Sequence, residues 1–227
     1  MSTENLPVLA ILGGTGDLGT GLARRWAQAG YRVIIGSRTL EKADVAAADL
    51  REVMTARGVG EIGVQAMENL DAAEAADIVT LTVPFSHQTS TLEYVGTALR
   101  GKILIDVTVP LVPPKVARVQ LPPQGSAGQI AQELLGDDVA VVSAFQNVAA
   151  VHLQEGHGVD CDVLVCGNKR EAREQVIALV EAAGMRGFHA GMINNAAAAE
   201  ALTSVLIVIN KQHGCHAGIR LTGVDDA

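Results

Sequence analysis

The residues best suited to chemistry are glycines near the amino terminus. The run Gly14–Gly19 reads Gly-Thr-Gly-Asp-Leu-Gly and directly follows an apolar segment, Val8–Leu12, that predicts a strand. In such a turn the first glycine permits a tight bend, the second lets the backbone approach a pyrophosphate, and the third lets helix and strand pack closely. The start of the next helix adds roughly half a positive charge. The run therefore predicts a dinucleotide-binding turn.

The residues after the second predicted strand indicate which dinucleotide is bound. Proteins that bind NAD usually place Asp or Glu about 20 residues beyond the glycine turn, where it contacts the ribose 2′-hydroxyl. This chain has Ser37 and Arg38 there, with Lys42 one helical turn later. A hydroxyl, a guanidinium and an ammonium group suit a 2′-phosphate, so the sequence favours NADP over NAD. The alternative is that Arg38 and Lys42 are a solvated helix start.

A third candidate segment leaves the fourth predicted strand, Ile78–Val83. Pro84 cannot donate a backbone hydrogen bond and is expected to end that strand at the ligand-binding edge of the sheet. Val83 and Phe85 could form an apolar wall for the nicotinamide. His87 could bond a ligand or exchange a proton, or it could be a helix-start histidine facing water.

A fourth candidate follows the sixth predicted strand, where Gln146 and Asn147 offer amide donors and acceptors. A purely structural turn is the alternative there. The chain shows no evident Ser-Tyr-Lys or His-Asp catalytic set. For hydride transfer a protein needs mainly to position the two reacting groups and to exclude water, because the cofactor carries the chemistry. This pattern favours a redox ring as the acceptor rather than an alcohol, whose oxygen needs a proton donor.

Apolar strand-like runs alternate with helix-like segments, which predicts an α/β fold with a Rossmann-type, doubly wound parallel sheet. We expect a dinucleotide-binding domain over residues 1–150 and a smaller α/β domain over 151–227 that closes the cleft. The proline-rich segment 107–124 is expected to be a lid, a site wall or a linker. Asn168 is a plausible N-cap for the next helix. The apolar stretch Ala196–Ile209 predicts a buried helix too short to span a bilayer.

The composition limits the partners of the chain. Its 227 residues carry a formal net charge of −8, which disfavours nucleic acid and anionic membranes. The three cysteines are scattered and predict neither a disulfide framework nor a metal site, which fits a reducing cytoplasm. The first seven residues do not read as a signal peptide.

Several motifs together resemble a known family, the NADPH-dependent reductases of coenzyme F420, a 5-deazaflavin. The likeness covers nearly the whole chain and rests on five segments besides the glycine run, at 36–42, 72–79, 82–87, 141–145 and 214–221. It implies reversible hydride transfer between NADP(H) and coenzyme F420, with the nicotinamide and deazaflavin rings stacked in a cleft between two domains. It also implies a homodimer.

The resemblance assigns residues to each part of the dinucleotide. Thr15, Gly16, Asp17 and Leu18 would hold the pyrophosphate, and the glycine pattern adds Gly14 to the cofactor-binding turn. Ser37, Arg38 and Lys42 would hold the 2′-phosphate, while Val83, Phe85 and Ala150 would contact the nicotinamide half. His87 and Gln146 are the possible catalytic residues.

The chain departs from the family at Gln146-Asn147 and in segment 107–124, both on the side expected to meet the deazaflavin. Three alternatives therefore stay open. The first is an NADPH-dependent reductase of an ordinary flavin or of metal ions. The second is a small β-hydroxyacid or imine reductase, which is disfavoured because the second unit of this chain is too short and offers no clear lysine or aspartate to face the nicotinamide. The third is a non-catalytic NADPH sensor.

Overall fold

The computed structural model describes residues 6–60, 62–155 and 158–224, and its centre is one eight-stranded sheet. The residues over which we expected no signal peptide, 1–7, lie mostly outside this described part. The strands β1 to β8 are Leu9–Leu12, Val33–Ser37, Val64–Glu68, Ile78–Leu81, Ile103–Asp106, Ala140–Ser143, Asp162–Gly167 and Arg186–His189.

The first six strands have the order β3-β2-β1-β4-β5-β6, and every neighbouring pair among them is parallel. In the central strand, Leu9 pairs with Val33 of β2 on one side and with Ile78 of β4 on the other. This is the strand order of a dinucleotide-binding sheet, and the strand order reverses between β1 and β4. The predicted Rossmann-type fold is confirmed.

The last two strands continue the same sheet. Strand β7 runs antiparallel to β6, through Val142–Gly167 and Ser143–Cys166, and β8 then pairs in parallel with β7. The tail after the last helix folds back onto this end, where the backbone N–H of Asp162 donates to Ile219 O at 2.8 Å.

Helices cover both faces of the sheet. The helices α1 to α8 are Asp17–Gln28, Leu40–Ala56, Asn69–Ala75, Phe85–Val95, Ala127–Leu135, Ala150–Gln154, Arg170–Ala182 and Ala196–His213, and short 3-10 turns lie at Gly96–Leu99 and Ile193–Asn195. Along β1, Leu9 and Ile11 join one buried apolar cluster, whereas Ala10 and Leu12 join the other. Both faces of each central strand are therefore dry, which explains the lack of polar alternation in the sequence.

Two local predictions were wrong. Asn168 does not cap α7, because that helix begins at Arg170 after Lys169 and the Asn168 Oδ1 instead accepts from the backbone N–H of Ile193 at 3.3 Å. The predicted strand Ile78–Val83 ends two residues early, at Leu81. Thr82 still donates to Leu12 O through its N and Oγ1, at 3.0 and 2.9 Å, and the pairing stops before Pro84, which has no N–H to donate.

The last helix also differs from expectation. It extends past the apolar run to His213, and the window Ile193–His213 is long and apolar enough, by length and composition, to cross a membrane. Core helices of soluble proteins pass the same test, but only 33% of this window is buried. The expectation of a segment too short for a bilayer was wrong in length, because the helix continues to His213. The expectation of a buried helix was wrong because Val205, Val208 and Ile209 leave one apolar face exposed.

Candidate functional site

The glycine turn has the shape that its pattern predicts, with one shift in roles. The residue with a left-handed backbone is Gly13, at a φ of 68°, rather than Gly14. A Cβ on Gly14 would lie 2.6 Å from the carbonyl oxygen of Ile11, and one on Gly19 would lie 2.7 Å from the Cα of Gly14. These glycines therefore let the turn pack against the strand and the helix.

Gly16 is different, because a Cβ there would meet nothing within 4 Å. It is the N-cap of α1 and its position carries no capping side chain, so the first N–H groups of the helix have no side-chain acceptor from the N-cap. Asp17 is exposed in the first turn, whereas Leu18 is half-buried and packs against the core. The open side of this turn can accept an anion at the backbone.

One cavity of about 500 Å³ joins three of the predicted segments, and we call it the main cavity. Thr15 and Gly16 contribute the glycine turn, while Ser37, Arg38 and Lys42 contribute the end of β2 and the start of α2. Arg38 and Lys42 are exposed, whereas Ser37 is buried as the last residue of β2. The structure therefore places the two predicted cations beside the predicted pyrophosphate turn.

The exit of β4 lines the same cavity through Val83, Pro84 and His87. His87 is exposed in the first turn of α4, and its backbone N–H donates to Pro84 O at 2.8 Å. Phe85 begins α4 half-buried and does not line this cavity. The cavity thus has an apolar wall at one end and cations at the other.

Two other predicted residues lie apart from the main cavity. Ala150 is the first residue of α6, half-buried, and Gln146 is buried behind the ends of β5 and β6. The Gln146 amide nitrogen donates to Asp106 O at 2.9 Å and to Ser143 Oγ at 2.7 Å. This amide is therefore engaged in holding the two strand ends together.

Sequence reasoning missed Asn69, which lines the main cavity. This buried side chain begins α3, directly after β3, and its Oδ1 accepts from Gly13 N at 3.2 Å. A Cβ on Gly36, in β2, would lie 3.0 Å from the same oxygen. Asn69, which follows β3, therefore lies close to the ends of both β1 and β2. The signal was available, because a polar residue immediately follows a predicted strand. Ser90 and Thr91 of α4 also line the cavity and were missed, since helix periodicity gives no sign of them.

The short helix α6 is fixed against α1. The Arg25 guanidinium donates to the carbonyl oxygens of His152, Leu153 and Glu155, at 2.7 to 3.1 Å. In the other direction, the Gln154 side-chain amide donates to Asp17 O at 2.9 Å, beside the glycine turn. Cations at a helix C-terminus are favourable, so these contacts hold residue 150 in place relative to α1.

Two buried carboxylates lie behind the main cavity, at the ends of β5 and β6. Burial raises the pKa of Asp106, although hydrogen bonds from Thr108 and from Gln88, at 2.5 Å, oppose the shift. Burial also raises the pKa of Glu200 to about 8, against the hydrogen bonds that its two oxygens accept from Ala127 N and Gly128 N at 2.7 and 3.0 Å. Glu200 therefore joins α8 to the start of α5.

No metal-binding cluster is found in the part of the chain that the structure describes, where no three His, Cys, Asp or Glu side chains are grouped to hold an ion. Cys161 and Cys166 are buried there and Cys215 is exposed, all as free thiols.

Comparison with known proteins connects this site to a family. The sequence pattern of the family described as "NADP oxidoreductase coenzyme F420-dependent" matches residues 8–110. The chain is 41% identical over 223 residues to the F420-dependent NADP reductase of Methanocaldococcus jannaschii, a match that covers 96% of this chain and 99% of that relative.

More distant matches agree on the fold. A solved structure from Arthrobacter sp. FB24, assigned to the F420-dependent NADP reductases, has a TM-score of 0.77 at 26% identity and covers 93% of this chain and 96% of its own. The metalloreductase STEAP3 of Rattus norvegicus is 27% identical over 88% of this chain, which spans only 37% of that relative. The near-complete match at 41% identity decides between these groups, and the chain belongs to the family of coenzyme F420-dependent NADP oxidoreductases.

Proposed function

We propose that this protein is an enzyme that transfers a hydride reversibly between NADP(H) and coenzyme F420. The observation that carries the proposal is the main cavity, where the glycine turn, the Ser37-Arg38-Lys42 group and the apolar exit of β4 face one another. The full-length similarity to F420-dependent NADP reductases supports the identity of the acceptor.

The residues present fit an NADP molecule. The open side of Gly16 and the uncapped start of α1 leave room and N–H groups for a pyrophosphate. In our proposal Gly14, Thr15, Gly16, Asp17 and Leu18 form this subsite, largely through their backbone.

Residues at the end of β2 and the start of α2 would select NADP over NAD by binding the adenosine end of the dinucleotide. Arg38 and Lys42 would hold the 2′-phosphate, with the Ser37 hydroxyl as a further donor. No acidic residue takes their place at the end of β2, where an NAD enzyme needs one to bind the ribose 2′-hydroxyl.

At the reacting end, this chain's contribution is position and the exclusion of water. When both coenzymes are bound, the chemistry they supply is exchange of a hydride between nicotinamide C4 and deazaflavin C5. Val83 and His87 line the main cavity, where Val83 would contact the nicotinamide and His87 would bond polar ligand atoms. Phe85 and Ala150 do not line that cavity, so they would contact the nicotinamide half only where it extends beyond the cavity. Gln146 would act as a positioning residue, because its amide links the ends of β5 and β6.

We further propose that residues 151–227 act as the smaller domain that closes the cleft over residues 1–150. The contacts between Arg25 and the end of α6 support a fixed relation between the two parts. The tail after α8 is held at Asp162, whose Oδ2 accepts from Leu221 N at 2.6 Å and whose carboxylate also binds Arg186 at 2.8 and 2.9 Å. Such contacts suit a rigid wall better than a mobile lid.

We also propose that the protein is a homodimer in the cytoplasm. The exposed apolar face of α8, with Val205, Val208 and Ile209, is of the kind that a second copy covers. Burying Glu200 of the same helix against α5 supports a soluble protein rather than a membrane span. A net charge of −8 also disfavours nucleic acid and anionic lipid as partners.

The dimer is tested by light scattering during gel filtration. We expect Val208→Glu to convert a dimer to a monomer, because it places a charge in an apolar interface. Glu171→Gln, on the exposed side of α7, serves as the control and leaves the mass unchanged. An unaltered dimer in Val208→Glu would place the interface elsewhere.

The function is tested by following NADP reduction spectroscopically with reduced coenzyme F420. Parallel reactions run NADPH oxidation with F420, FMN, FAD and ferric ion as acceptors. Turnover with F420 that greatly exceeds the others supports the proposal. Reduction of only a flavin or of ferric ion would identify a flavin or metal-ion reductase, while tight NADPH binding without any turnover would identify a sensor.

A further inference from the structure

A second cavity, of about 480 Å³, lies between α1 and α2 and has no part in the proposed reaction. We call it the α1–α2 cleft. It shares only Thr15 and Lys42 with the main cavity. Its volume falls within the range of about 300–1,000 Å³ that is usual for small-molecule sites.

The wall that α2 contributes contains four aliphatic residues. Val45, Ala46, Leu50 and Val53 all line the cleft, on one side of the helix. Val45 is 57% exposed although it is β-branched and apolar. Ala46 and Val53 are half-buried and Leu50 is only 3% exposed, so Val45 provides most of the apolar surface that is open to a ligand. An exposed aliphatic side chain in a concave site is typical of a surface that an apolar group covers.

The wall that α1 contributes carries a guanidinium group whose charge is poorly compensated. Arg24 lines the cleft, where it donates to Gln154 O, and its buried Nε has no hydrogen-bond partner within the described residues. Burial, followed by the charges of Arg57 and Arg25, lowers the pKa of Arg24. Within residues 6–60, 62–155 and 158–224, no carboxylate lies within ion-pair distance of Arg24.

Lys42 also lines the cleft from α2, and so do two acidic residues, Glu41 and Asp49. Their charges oppose a multiply charged phosphate, which would gain from Arg24 but be repelled by both carboxylates. A ligand with one negative charge and an apolar body satisfies both walls.

We propose that the α1–α2 cleft binds a small amphipathic carboxylate, with its apolar body on Val45, Leu50 and Val53 and its carboxylate toward Arg24. This site is separate from the hydride-transfer reaction, and the proposal does not depend on which coenzymes the main cavity takes.

The test is calorimetric titration of octanoate into the full chain saturated with NADPH, which fills the main cavity. We expect saturable binding of one octanoate per chain. Val45→Glu should weaken it at least about tenfold, because a like charge then lies against the carboxylate and the apolar wall is interrupted. Ala48→Glu is the matched control, since it adds the same charge to an exposed position of α2 that does not line the cleft.

A second variant and a second ligand test the charge. Arg24→Met keeps an unbranched apolar stem but removes the guanidinium group, and it should also weaken octanoate about tenfold. In the unaltered chain, 1-octanol, which lacks the charge, should bind at least about tenfold more weakly than octanoate. Circular dichroism checks that Arg24→Met still folds. If it does not fold, the comparison of Val45→Glu with Ala48→Glu tests the proposal.

Several results would overturn the proposal: no saturable heat, equal affinity in Val45→Glu and Ala48→Glu, or octanol binding as tightly as octanoate. Octanoate that binds only when NADPH is absent would show that it occupies the main cavity instead. A chain that fails to bind NADPH but shows the expected octanoate pattern would contradict the proposed function and support the cleft.

Discussion

The charged residues of the main cavity and the two buried carboxylates behind it, Asp106 and Glu200, differ in their exposure to water and in their hydrogen-bond partners. At the ends of β1, β2 and β4, Arg38 and Lys42 are exposed, and within the described residues neither forms an ion pair. At the ends of β5 and β6, Asp106 and Glu200 are almost fully buried and each accepts at least two hydrogen bonds from the protein.

The difference separates binding from architecture. A cation left in water at a concave site keeps its charge for a ligand, whereas a carboxylate taken out of water must be satisfied by the protein itself. Substitutions in the first region should change affinity with little effect on folding. Substitutions in the second should change stability, so measuring both quantities for each variant tests the distinction.

The largest expected effect is on stability, at Glu200. Its pKa of about 8 in the folded chain exceeds its ordinary value of 4.5, so the folded state binds more protons over that interval. The free energy of unfolding should therefore be highest below pH 4.5 as far as this group is concerned, and fall as pH rises to about 8. The loss should be a few kcal/mol, at about 1.4 kcal/mol for each pKa unit.

Denaturant unfolding between pH 5 and pH 9 measures this slope. Glu200→Gln should flatten it, because the amide does not titrate, even though the variant loses an acceptor for one backbone N–H. Glu133→Gln, at an exposed position of α5, should keep the slope of the unaltered chain. Identical slopes in all three proteins would show that Glu200 ionises normally.

The next effect is on binding, at Gly16. A side chain there meets no protein atom within 4 Å, so Gly16→Val should fold normally but occupy the space of the pyrophosphate. We expect NADPH and NADH to weaken alike, by about a hundredfold or about 2.7 kcal/mol. Gly60→Val is the control, because Gly60 is equally unobstructed and lies outside the cavity. Unchanged affinities in Gly16→Val, measured by titration calorimetry, would remove the turn from the binding site.

Arg38→Ala should discriminate between the two dinucleotides. Loss of a charged hydrogen bond should cost NADPH binding about 1.5–3 kcal/mol, roughly tenfold to over a hundredfold, and leave NADH nearly unchanged. Arg32→Ala, at the other end of β2, provides a control with the same change of charge. Equal losses for NADPH and NADH would argue against contact with the 2′-phosphate.

The smallest expected effect is at Ser37. Ser37→Ala removes one neutral donor from the end of β2, which should weaken NADPH by about 0.5–1.5 kcal/mol and spare NADH. Thr39→Ala, at the exposed N-cap position of α2, where the side chain makes no capping hydrogen bond, should alter neither affinity. A loss of stability without a loss of affinity would assign the Ser37 hydroxyl to the fold.

Much of this molecule could be predicted from the sequence because its signals are local. A glycine run after an apolar strand, and cations directly after the next strand, predict the turn and the order of β1, α1 and β2 without knowledge of the rest. Gln146 shows where such reasoning ends. Its amide looked available for a ligand, but strand pairing of β5 with β6 brings Asp106 O and Ser143 Oγ within reach of it.

The sequence by itself determined the alternation of strands and helices, the dinucleotide turn and the preference for the phosphorylated cofactor, since each depends on residues close together in the chain. Only the tertiary structure decided what lies across the sheet: Asn69 beneath Gly13, Glu200 at the start of α5, and the α1–α2 cleft. The reason is physical. Hydrogen bonds and burial between residues distant in the chain depend on strand order and helix packing, which periodicity does not specify.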